Sequence, residues 1–373
     1  MMKSIQMVDL QSQYQKIKDK IDKAVIEVIE SAQFINGPAV KQFSENLSTY
    51  LSVKNVIPCA NGTDALQIAM MALNLQPGDE VILPAFTYVA TAEVIALLRL
   101  KPVLVDVIPE TFLIDISKIE PAITSKTKAI VPVHLFGQCA DMEQIMAIAA
   151  KHHLYVIEDT AQAIGADYTF NDGRKMKAGT IGTIGATSFF PSKNLGCMGD
   201  GGAMFTNDDE LAKRLKMMAN HGQSVQYQHD EIGVNSRLDT IQAAILNIKL
   251  NYLDDYAKSR NEVADFYDNA LIGLTNIEIP KRVPHSNHVF HQYTLKVKNN
   301  ERDELRKFLA EKNIPSMVYY PIPLHFQKAY KTEKELPITE DLCKHVISLP
   351  ISTEMDKEQL TYIVSNVIDF CNK

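Results

Sequence analysis

The sequence predicts an α/β protein, with a large domain built on a mainly parallel sheet and a smaller α+β domain at the C-terminus. Two observations favour the parallel sheet. Short runs of β-branched and apolar residues, typical of strands covered on both faces, recur through the first half of the chain. Segments with helical spacing of apolar residues separate these runs, as in successive βαβ units. With 373 residues, 46% of them hydrophobic, the chain can fill a core of this size.

The elements of the large domain follow in order. Apolar residues recur at helical spacing from Val40 to Leu51, after a Gly-Pro pair, and from Ala65 to Leu73, after an Asn-Gly pair. A helix is also predicted over residues 141–153. Five strands are predicted around it, and they are EVILP (80–84), KPVLVDV (101–107), KAIVPVH (128–134), LYVIED (154–159) and GATSFF (185–190). This alternation predicts a large domain over residues 1–245.

The smaller domain is predicted over residues 246–373. A long helical stretch near Arg237 to Tyr256 leads into it. The later pattern alternates between strand and helix, and its segments are YTLKV (293–297), RDELRKFLAEKN (302–313), SMVYY (316–320) and a last helix from Asp356. This order of elements is typical of an α+β unit.

Composition argues against several classes of protein. The opening MMKSIQMVDL carries polar residues throughout and no apolar run approaches membrane-spanning length, so we expect neither a leader nor a membrane span. A net charge of −7 without a basic block argues against nucleic acid and anionic membranes as partners. The five cysteines are scattered and never spaced as CxxC, which predicts neither disulfides nor a zinc site. We therefore expect a cytoplasmic protein.

Residues that follow the predicted strands carry the candidate chemistry, because ligands of open α/β sheets bind beyond the carboxyl ends of the strands. LYVIED ends in Glu158-Asp159, which places a carboxylate there, although such an aspartate would also suit the cap of a following helix. In CANGTDAL an Asn-Gly turn runs into a helix whose free N–H groups would suit a phosphate. An ordinary N-cap by Thr63 or Asp64 is the alternative.

Two further strand exits supply aromatic rings and an amine. PAFTYVAT brings Phe86 and Tyr88 to a position where a flat ring could stack, although such aromatic residues more often belong to the core. SFFPSKNLGCMGDGG places Ser188 and Lys193 among aromatic residues and glycines, with no helix to carry the lysine. These surroundings are unusual for a lysine, since lysines generally extend into solvent from helix faces.

Together these residues would hold pyridoxal phosphate. The cofactor requires an amine nucleophile beside a flat apolar surface, a carboxylate and an anion cradle. Lys193 would form the Schiff base, with burial lowering its pKa so that the free amine can attack. Asp159 would keep the pyridine nitrogen protonated, so that the ring accepts the electrons of a carbanion. The glycines near Lys193 would let the backbone and the cofactor approach closely.

The chain also resembles the DegT/DnrJ/EryC1/StrS sugar aminotransferases from about Val8 to the C-terminus. The motifs that carry this likeness are, in order, CANGTDAL, PGDEVILPAFTYVAT, VIEDTAQAIGA, SFFPSKNLG, GDGGAMFTND, GVNSRLDTIQAAIL and YYPIPLH. The resemblance implies the fold-type I, aspartate aminotransferase-like architecture and pyridoxal 5′-phosphate as cofactor. It also implies glutamate as the typical amino donor, with 2-oxoglutarate as its product, and a nucleotide-linked keto sugar as the acceptor.

The resemblance assigns roles to individual residues around the cofactor ring. It implies Lys193 as the Schiff-base lysine and Asp159 on the pyridinium nitrogen. Gln162 would lie near the ring hydroxyl and Tyr88 would stack on the ring.

A second group of residues is implied for the cofactor phosphate. Gly62, Thr63 and Ser188 would bind it, joined by Asn235 from the partner subunit. The resemblance thus implies a homodimer whose active sites lie at the interface and are shared between the subunits.

The subgroup within the family is indicated by shorter stretches. Gln162 in EDTAQAIGA, with SFFPSKNLGC and GQCADME, resembles enzymes that aminate C3 of a 3-keto sugar, whereas enzymes for 4-keto sugars more often carry His at this position. The likeness is greatest to UDP-2-acetamido-2-deoxy-3-oxo-glucuronate aminotransferases of surface polysaccharide synthesis, such as that of O-antigen and lipopolysaccharide. Aminotransferases for UDP-3-keto-N-acetylglucosamine, dTDP-3-keto-6-deoxyhexoses or 4-keto sugars remain alternatives.

Three other functions are argued against by particular residues. A related branch of the family dehydrates sugars with His in place of the lysine, and Lys193 does not fit that branch. A cofactor-free binding or regulatory protein on the same scaffold would have no need of Lys193, Asp159, Gln162 and Ser188 together. The glycine-rich GTIGTIG (179–185) matches no phosphate-binding motif, so we predict a turn there rather than a phosphoryl-transfer site.

Three histidines in HSNHVFH raise the question of a metal site. On a helix, the spacing of His285, His288 and His291 would put their imidazoles on one face. Pro284 and the strand that follows predict a loop-to-strand passage instead, in which alternation separates the rings. We therefore expect a surface or substrate-loop role and no metal.

Overall fold

The computed structural model describes residues 3–372 and is built around a twisted sheet flanked by helices. Its strands are β1 Asn55–Cys59, β2 Glu80–Pro84, β3 Lys101–Val105, β4 Thr127–Ile130, β5 Tyr155–Asp159, β6 Asp167–Thr169, β7 Lys175–Lys177, β8 Ile184–Ser188, β9 Gly202–Thr206, β10 Gln223–Val225, β11 Gln228–His229, β12 Ile277–Glu278, β13 Tyr293–Val297 and β14 Val346–Leu349. The main sheet has seven strands in the order β1-β9-β8-β5-β4-β2-β3.

The main sheet is mostly parallel, as predicted. β2 pairs in parallel with β3 and with β4, and the parallel pairing continues from β4 to β5 and from β5 to β8. Only β9 runs against its neighbours, since it pairs antiparallel with both β8 and β1. The carboxyl ends of β2, β4, β5 and β8 therefore meet at one edge of the sheet, where ligands of such folds bind.

Helices cover both faces of this sheet, and further helices pack with β12, β13 and β14 in the smaller C-terminal unit. They are α1 Leu10–Ser31, α2 Pro38–Leu51, α3 Gly62–Ala72, α4 Ala90–Leu97, α5 Met142–His152, α6 Asp209–Met218, α7 Thr240–Leu250, α8 Leu253–Leu271, α9 Arg302–Glu311, α10 Pro337–His345 and α11 Lys357–Cys371. Among the residues described, no helix is both long and apolar enough to cross a membrane.

Burial on both faces explains the continuous apolar strands. Val81 and Leu83 of β2 pack in one core with Leu66 of α3, whereas Ile82 between them packs in another core with Ile145 of α5. Each of these strand side chains is completely buried. Because successive residues face opposite sides of a sheet, a strand covered twice must be apolar at every position.

The C-terminal unit has its own core around β12, β13 and β14, which pair antiparallel. Tyr267 of α8, Leu305 of α9 and Ile363 of α11 pack against Leu295 of β13, and Ile5 from the start of the chain joins them. The domain boundary near residue 245 falls inside α7, and it stays a prediction.

The long helix expected near Arg237 to Tyr256 is wrong as a single element. α7 ends at Leu250 and α8 begins at Leu253. Asn251 is the C-cap of α7, and Tyr252, with φ −111° and ψ 1°, leaves the helical conformation before α8 begins. The Asn251 side-chain amide also donates to the carbonyl groups of Asn247 and Ile248, at 2.8 and 3.3 Å, and so satisfies acceptors at the end of α7.

The strand expected over SMVYY (316–320) is also wrong. The segment makes one isolated bridge, between Met317 and Ser348, and otherwise runs as an irregular stretch. Pro321 and Pro323 follow directly, and proline lacks the N–H group that a ladder requires. The strand that pairs with β13 is instead β14, and the last predicted helix does begin after Asp356, whose carboxylate caps α11.

Candidate active site

The carboxyl ends of the central strands open into a cavity of about 750 Å³. The residues that line it include seven of the eight predicted cofactor-binding residues, namely Gly62, Thr63, Tyr88, Asp159, Gln162, Ser188 and Lys193. They come from α3, from the segment after β2, from β5 and the turn after it, and from β8 and the segment that follows. The fold thus brings together side chains that are up to about 130 positions apart, from Gly62 to Lys193.

Lys193 sits on a tight turn beyond β8. Its backbone N–H donates to the carbonyl oxygen of Phe190 at 2.8 Å, and the turn closes where Cys197 N–H donates to the carbonyl oxygen of Phe189 at 2.8 Å. The Lys193 amine makes no hydrogen bond or ion pair with any described residue. Burial lowers its pKa to about 8, while the nearby charge of Asp159 acts in the opposite direction. The neutral, nucleophilic form of this amine is therefore far more populated at mildly basic pH than that of an exposed lysine.

Asp159 ends β5 with its carboxylate inside the cavity. Oδ2 accepts a hydrogen bond from the Thr91 hydroxyl at 2.9 Å, and Oδ1 accepts one from the Ala161 N–H at 3.1 Å. Burial raises the pKa of this carboxyl, whereas the two hydrogen bonds and the charge of Lys193 lower it. No helix begins directly after β5, so the alternative of a helix cap is wrong. A cationic ligand beside Asp159 would favour the ionised form.

The neighbouring Glu158 points to the opposite face and is fully buried. It accepts N–H groups from Gly179, Ile181 and Gly182 at 2.9, 2.7 and 2.5 Å, and it contacts His134 Nε2 at 2.9 Å. The glycine-rich stretch over residues 179–185 forms a turn that leads into β8 at Ile184. A carboxylate of the chain itself occupies this turn, which leaves it no role in phosphate binding. The hydrogen bonds of Glu158 also fix the end of β5, where Asp159 lies.

The first turn of α3 faces the cavity with free N–H groups. Asn61 is the N-cap, since its side chain accepts from Asp64 N–H at 2.8 Å, so the alternative of a cap by Thr63 or Asp64 is wrong. The N–H groups of Gly62 and Thr63 donate to no described residue. A Cβ atom at Gly62 would lie 2.6 Å from Ser188 Cβ, so glycine is required for α3 to approach β8 this closely.

Gln162 and the aromatic residues form one wall of the cavity. The Gln162 side-chain oxygen accepts Phe136 N–H at 2.9 Å, and its amide donates to Tyr320 Oη at 3.1 Å. Tyr88 lines the cavity and is 57% exposed, and its ring centroid lies 6.2 Å from that of Tyr320. Phe86 is only 1% exposed and packs in the core, as the more common interpretation predicted.

Asn235 is the one predicted residue that lies outside this cavity. It is exposed on the segment between β11 and α7, where it bridges to Asn220. The next residue, Ser236, faces inward, since its hydroxyl donates to Asp64 at 2.6 Å and accepts Ala60 N–H at 3.0 Å. Asn235 therefore does not reach the cavity of its own chain.

Comparison with known proteins identifies the family. Residues 15–368 match the DegT/DnrJ/EryC1/StrS aminotransferase family. The chain belongs to this family. It is 46% identical to a pleiotropic regulatory protein of Geobacillus stearothermophilus, over 98% of each chain. It is also 46% identical to the UDP-2-acetamido-2-deoxy-3-oxo-D-glucuronate aminotransferase of Pseudomonas aeruginosa, over 96% of this chain and 98% of that enzyme.

A solved relative extends the comparison to the fold. The crystal structure of NtdA from Bacillus subtilis, which has bound cofactor PMP, superimposes with a TM-score of 0.89 at 34% identity. The match covers 96% of this chain and 82% of NtdA. The expected aminotransferase fold with a mainly parallel sheet is thereby confirmed.

The sequence analysis did not predict several other residues of the candidate active site. Thr91 holds Asp159, and Tyr319, Tyr320, His291 and Gln292 line the cavity. YYPIPLH and HSNHVFH were both singled out as motifs, but their approach to Lys193 depends on the packing of the C-terminal unit. The sequence carries no sign of that contact.

The three histidines lie in a loop before β13, as predicted, but two of them are buried. His288 stacks on Phe290 with ring centroids 3.7 Å apart, and His291 lies in the cavity wall. The surface role is therefore wrong for His288 and His291, whereas the place of His291 in the cavity wall agrees with the predicted alternative of a substrate-loop role. Nε2 of His285 hydrogen-bonds the Cys139 carbonyl oxygen at 3.2 Å. No group of metal-ligating side chains was found among the described residues.

Proposed function

We propose that the protein is a pyridoxal phosphate-dependent aminotransferase that moves an amino group from glutamate to C3 of a nucleotide-linked 3-keto sugar. The observation that carries the proposal is the pairing, in one cavity, of a lysine whose pKa is lowered to about 8 with a buried aspartate and a free helix N-terminus. These are the amine, the carboxylate and the anion cradle that the cofactor requires. PMP, bound in NtdA, is the aminated form of the same cofactor.

The residues of the cavity fit this cofactor. The close approach of Gly62 to Ser188, which a Cβ atom would block, brings two unpartnered N–H groups and a hydroxyl to one point. We assign the cofactor phosphate to Gly62, Thr63 and Ser188, since helix N-termini favour anions. In this arrangement Asp159 would lie beside the pyridine nitrogen, and Gln162 and Tyr88 would contact the ring.

Lys193 and Asp159 have separate roles in the proposed reaction. Bound pyridoxal phosphate supplies an electron sink for the carbon that bears the amino group. Lys193 serves first as the covalent anchor and then, once released, as the base that moves a proton between the donor carbon and the cofactor. Its lowered pKa suits both tasks, because each requires a neutral amine. The Asp159 carboxylate would stabilise the positive charge on the protonated ring nitrogen, and this charge makes the ring an effective electron sink.

The keto sugar is assigned from the relatives and from Gln162. The Pseudomonas relative is named for UDP-2-acetamido-2-deoxy-3-oxo-D-glucuronate, and we propose the same substrate here, in the synthesis of a surface polysaccharide such as O-antigen. UDP-3-keto-N-acetylglucosamine, dTDP-3-keto-6-deoxyhexoses and 4-keto sugars are the alternatives. The five free cysteines fit a reducing compartment, and we propose the cytoplasm.

A substrate panel tests this assignment. Purified enzyme in its aminated form, offered UDP- and dTDP-linked 3-keto and 4-keto sugars, is expected to aminate the 3-keto uronate with the highest kcat/KM. The neutral sugar with a C6 hydroxyl should be at least about tenfold poorer, because a site built for a charged group leaves a buried partner unpaired without it. The measurement is the amino sugar formed, by mass spectrometry. Equal kcat/KM for both would favour the neutral sugar.

A regulatory function is the second candidate, because one relative is named a pleiotropic regulatory protein. The same panel decides between them. A purely regulatory protein would bind a ligand without producing an amino sugar from any keto sugar offered.

We further propose a homodimer in which Asn235 binds the cofactor phosphate of the opposite subunit. Its exposure outside its own cavity supports this, as do the neighbouring exposed apolar side chains Val225, Tyr227 and Ile232, which are 60%, 83% and 90% exposed. Patches of this kind mark protein interfaces. Neither nucleic acid nor a membrane is part of the proposal.

Mixed dimers test the shared site. Asn235→Asp adds a charge that repels the phosphate, so it should weaken cofactor binding strongly. Chains with only Asn235→Asp, reassembled with chains carrying only Lys193→Ala, should regain activity of up to about half that of a wild-type dimer, because one site collects both defects and the other has none. Verified heterodimers that are no more active than the sum of the parental mutants would reject the shared site.

A further inference from the structure

Lys249 of α7 is a buried amine that the proposed reaction does not use. Only 4% of its surface is exposed, and the helix face around it packs Ala243, Leu246 and Leu250 into the core. No carboxylate of a described residue pairs with it. Burying an unpaired amine is costly, so an apolar side chain of similar length would serve the core better. A lysine at this position therefore indicates a role other than packing.

The Lys249 side chain ends at the turn that carries Lys193. Its Nζ donates a 2.6 Å hydrogen bond to the carbonyl oxygen of Gly196. A Cβ atom at Gly196 would lie 2.2 Å from the carbonyl oxygen of Pro191, so the two arms of the turn touch at this point. The position of the Gly196 carbonyl therefore determines where the tip of the turn, with Lys193, can lie.

Packing behind the turn is incomplete on the side that faces α1. Between α1 and the turn lies a small cavity of about 180 Å³, whose walls include Ile17 of α1, Pro191, Cys197 and Lys249 itself. Voids forfeit the contacts that close packing would provide. The Asn194 side chain tethers the other side of the turn, since it donates to the Val289 carbonyl oxygen at 2.8 Å. The short hydrogen bond from Lys249 supplies a directional tether on the side of the void.

We propose that Lys249 is a positioning residue for Lys193, and that its side-chain nitrogen fixes the turn in the conformation that presents Lys193 to the cofactor. The inference rests on the role proposed above for Lys193. Burial lowers the pKa of Lys249 to about 8, with the charge of Arg260 adding to this and Cys197 opposing it. The ammonium and the neutral amine both carry N–H donors, so the tether is present in either protonation state.

Three variants separate positioning from packing. Lys249→Met keeps the length and removes the donor, while Lys249→Arg keeps donors for the carbonyl. Lys258→Met, on the exposed face of α8, is the matched control. Apo-protein of each variant is mixed with pyridoxal phosphate, and the rate of covalent attachment is followed by absorbance. Borohydride reduction and peptide mass spectrometry verify attachment at Lys193, and thermal unfolding is measured in parallel.

Lys249→Met is expected to slow attachment at least about tenfold, the loss typical of a hydrogen bond from a charged group. Lys249→Arg should remain close to the wild-type rate, and Lys258→Met should equal it. A wild-type rate in Lys249→Met would overturn the proposal, whatever happens to its unfolding temperature, and so would equal slowing by Met and Arg.

If Lys249→Met does not fold, Lys249→Gln replaces it, because its amide is too short to reach the carbonyl from the same backbone position. A rate in Lys249→Gln equal to that of Lys249→Arg would then overturn the proposal. Failure of the proposed function is distinguishable, since wild-type protein would then carry no cofactor at Lys193.

Discussion

Lys193→Ala is expected to yield a folded protein that no longer attaches pyridoxal phosphate covalently and no longer transfers amino groups. Folding should survive because the Lys193 amine makes no hydrogen bond or ion pair with any described residue. Catalysis should fall by about a hundred- to ten-thousandfold from loss of the proton-transferring base alone, and loss of the covalent anchor adds to this. Borohydride trapping and amino sugar formation are the two measurements.

Lys175→Ala is the matched control, since Lys175 is an exposed lysine on β7, remote from the cavity. It should attach cofactor and turn over as the wild type does. Normal turnover by Lys193→Ala, or trapping of the wild-type cofactor on another lysine, would contradict the assignment.

Asp159→Asn is expected to have the second largest effect. The amide keeps the shape of the carboxyl group and can still accept one hydrogen bond, but it removes the negative charge beside the ring nitrogen. The rate of glutamate deamination in a single turnover should fall about a hundred- to a thousandfold, the range for loss of one preorganised electrostatic partner. Cofactor affinity should fall as well, and this is measured by equilibrium dialysis.

Asp19→Asn, on the exposed surface of α1, is the control for the loss of one carboxylate. It should leave both quantities unchanged. An Asp159→Asn protein that deaminates glutamate at the wild-type rate would rule out the role of Asp159 at the ring nitrogen.

Strands covered on both faces were predictable because their continuous runs of apolar residues can be recognised from the sequence alone. EVILP is apolar apart from its first residue, and β2 has the predicted bounds. Asp159 ends such a strand, and Tyr88 and Lys193 follow two others, so their meeting at one sheet edge followed from the parallel topology. Their separation in sequence did not matter once the strands were placed.

Other features depend on contacts that no local pattern carries. SMVYY has the composition of a strand, yet the prolines after it and the packing of the C-terminal unit turn it towards the cavity. The helix break after Asn251 is marked by no proline or glycine in the sequence. The long α1 was missed although its apolar spacing is regular, and Lys249 reads as an ordinary helical lysine until its contact with Gly196 is seen.

Transfer of isotope-labelled nitrogen is the most direct test of the central claim. Purified enzyme with pyridoxal phosphate is given glutamate labelled at its amino group and the UDP-linked 3-keto uronate, and the sugar product is analysed by mass spectrometry and nuclear magnetic resonance. We predict that the label is recovered as an amine at C3 of the sugar, with 2-oxoglutarate released in equal amount, and that Lys193→Ala gives neither. Wild-type enzyme that carries the cofactor yet returns every keto sugar of the panel unlabelled would contradict the claim.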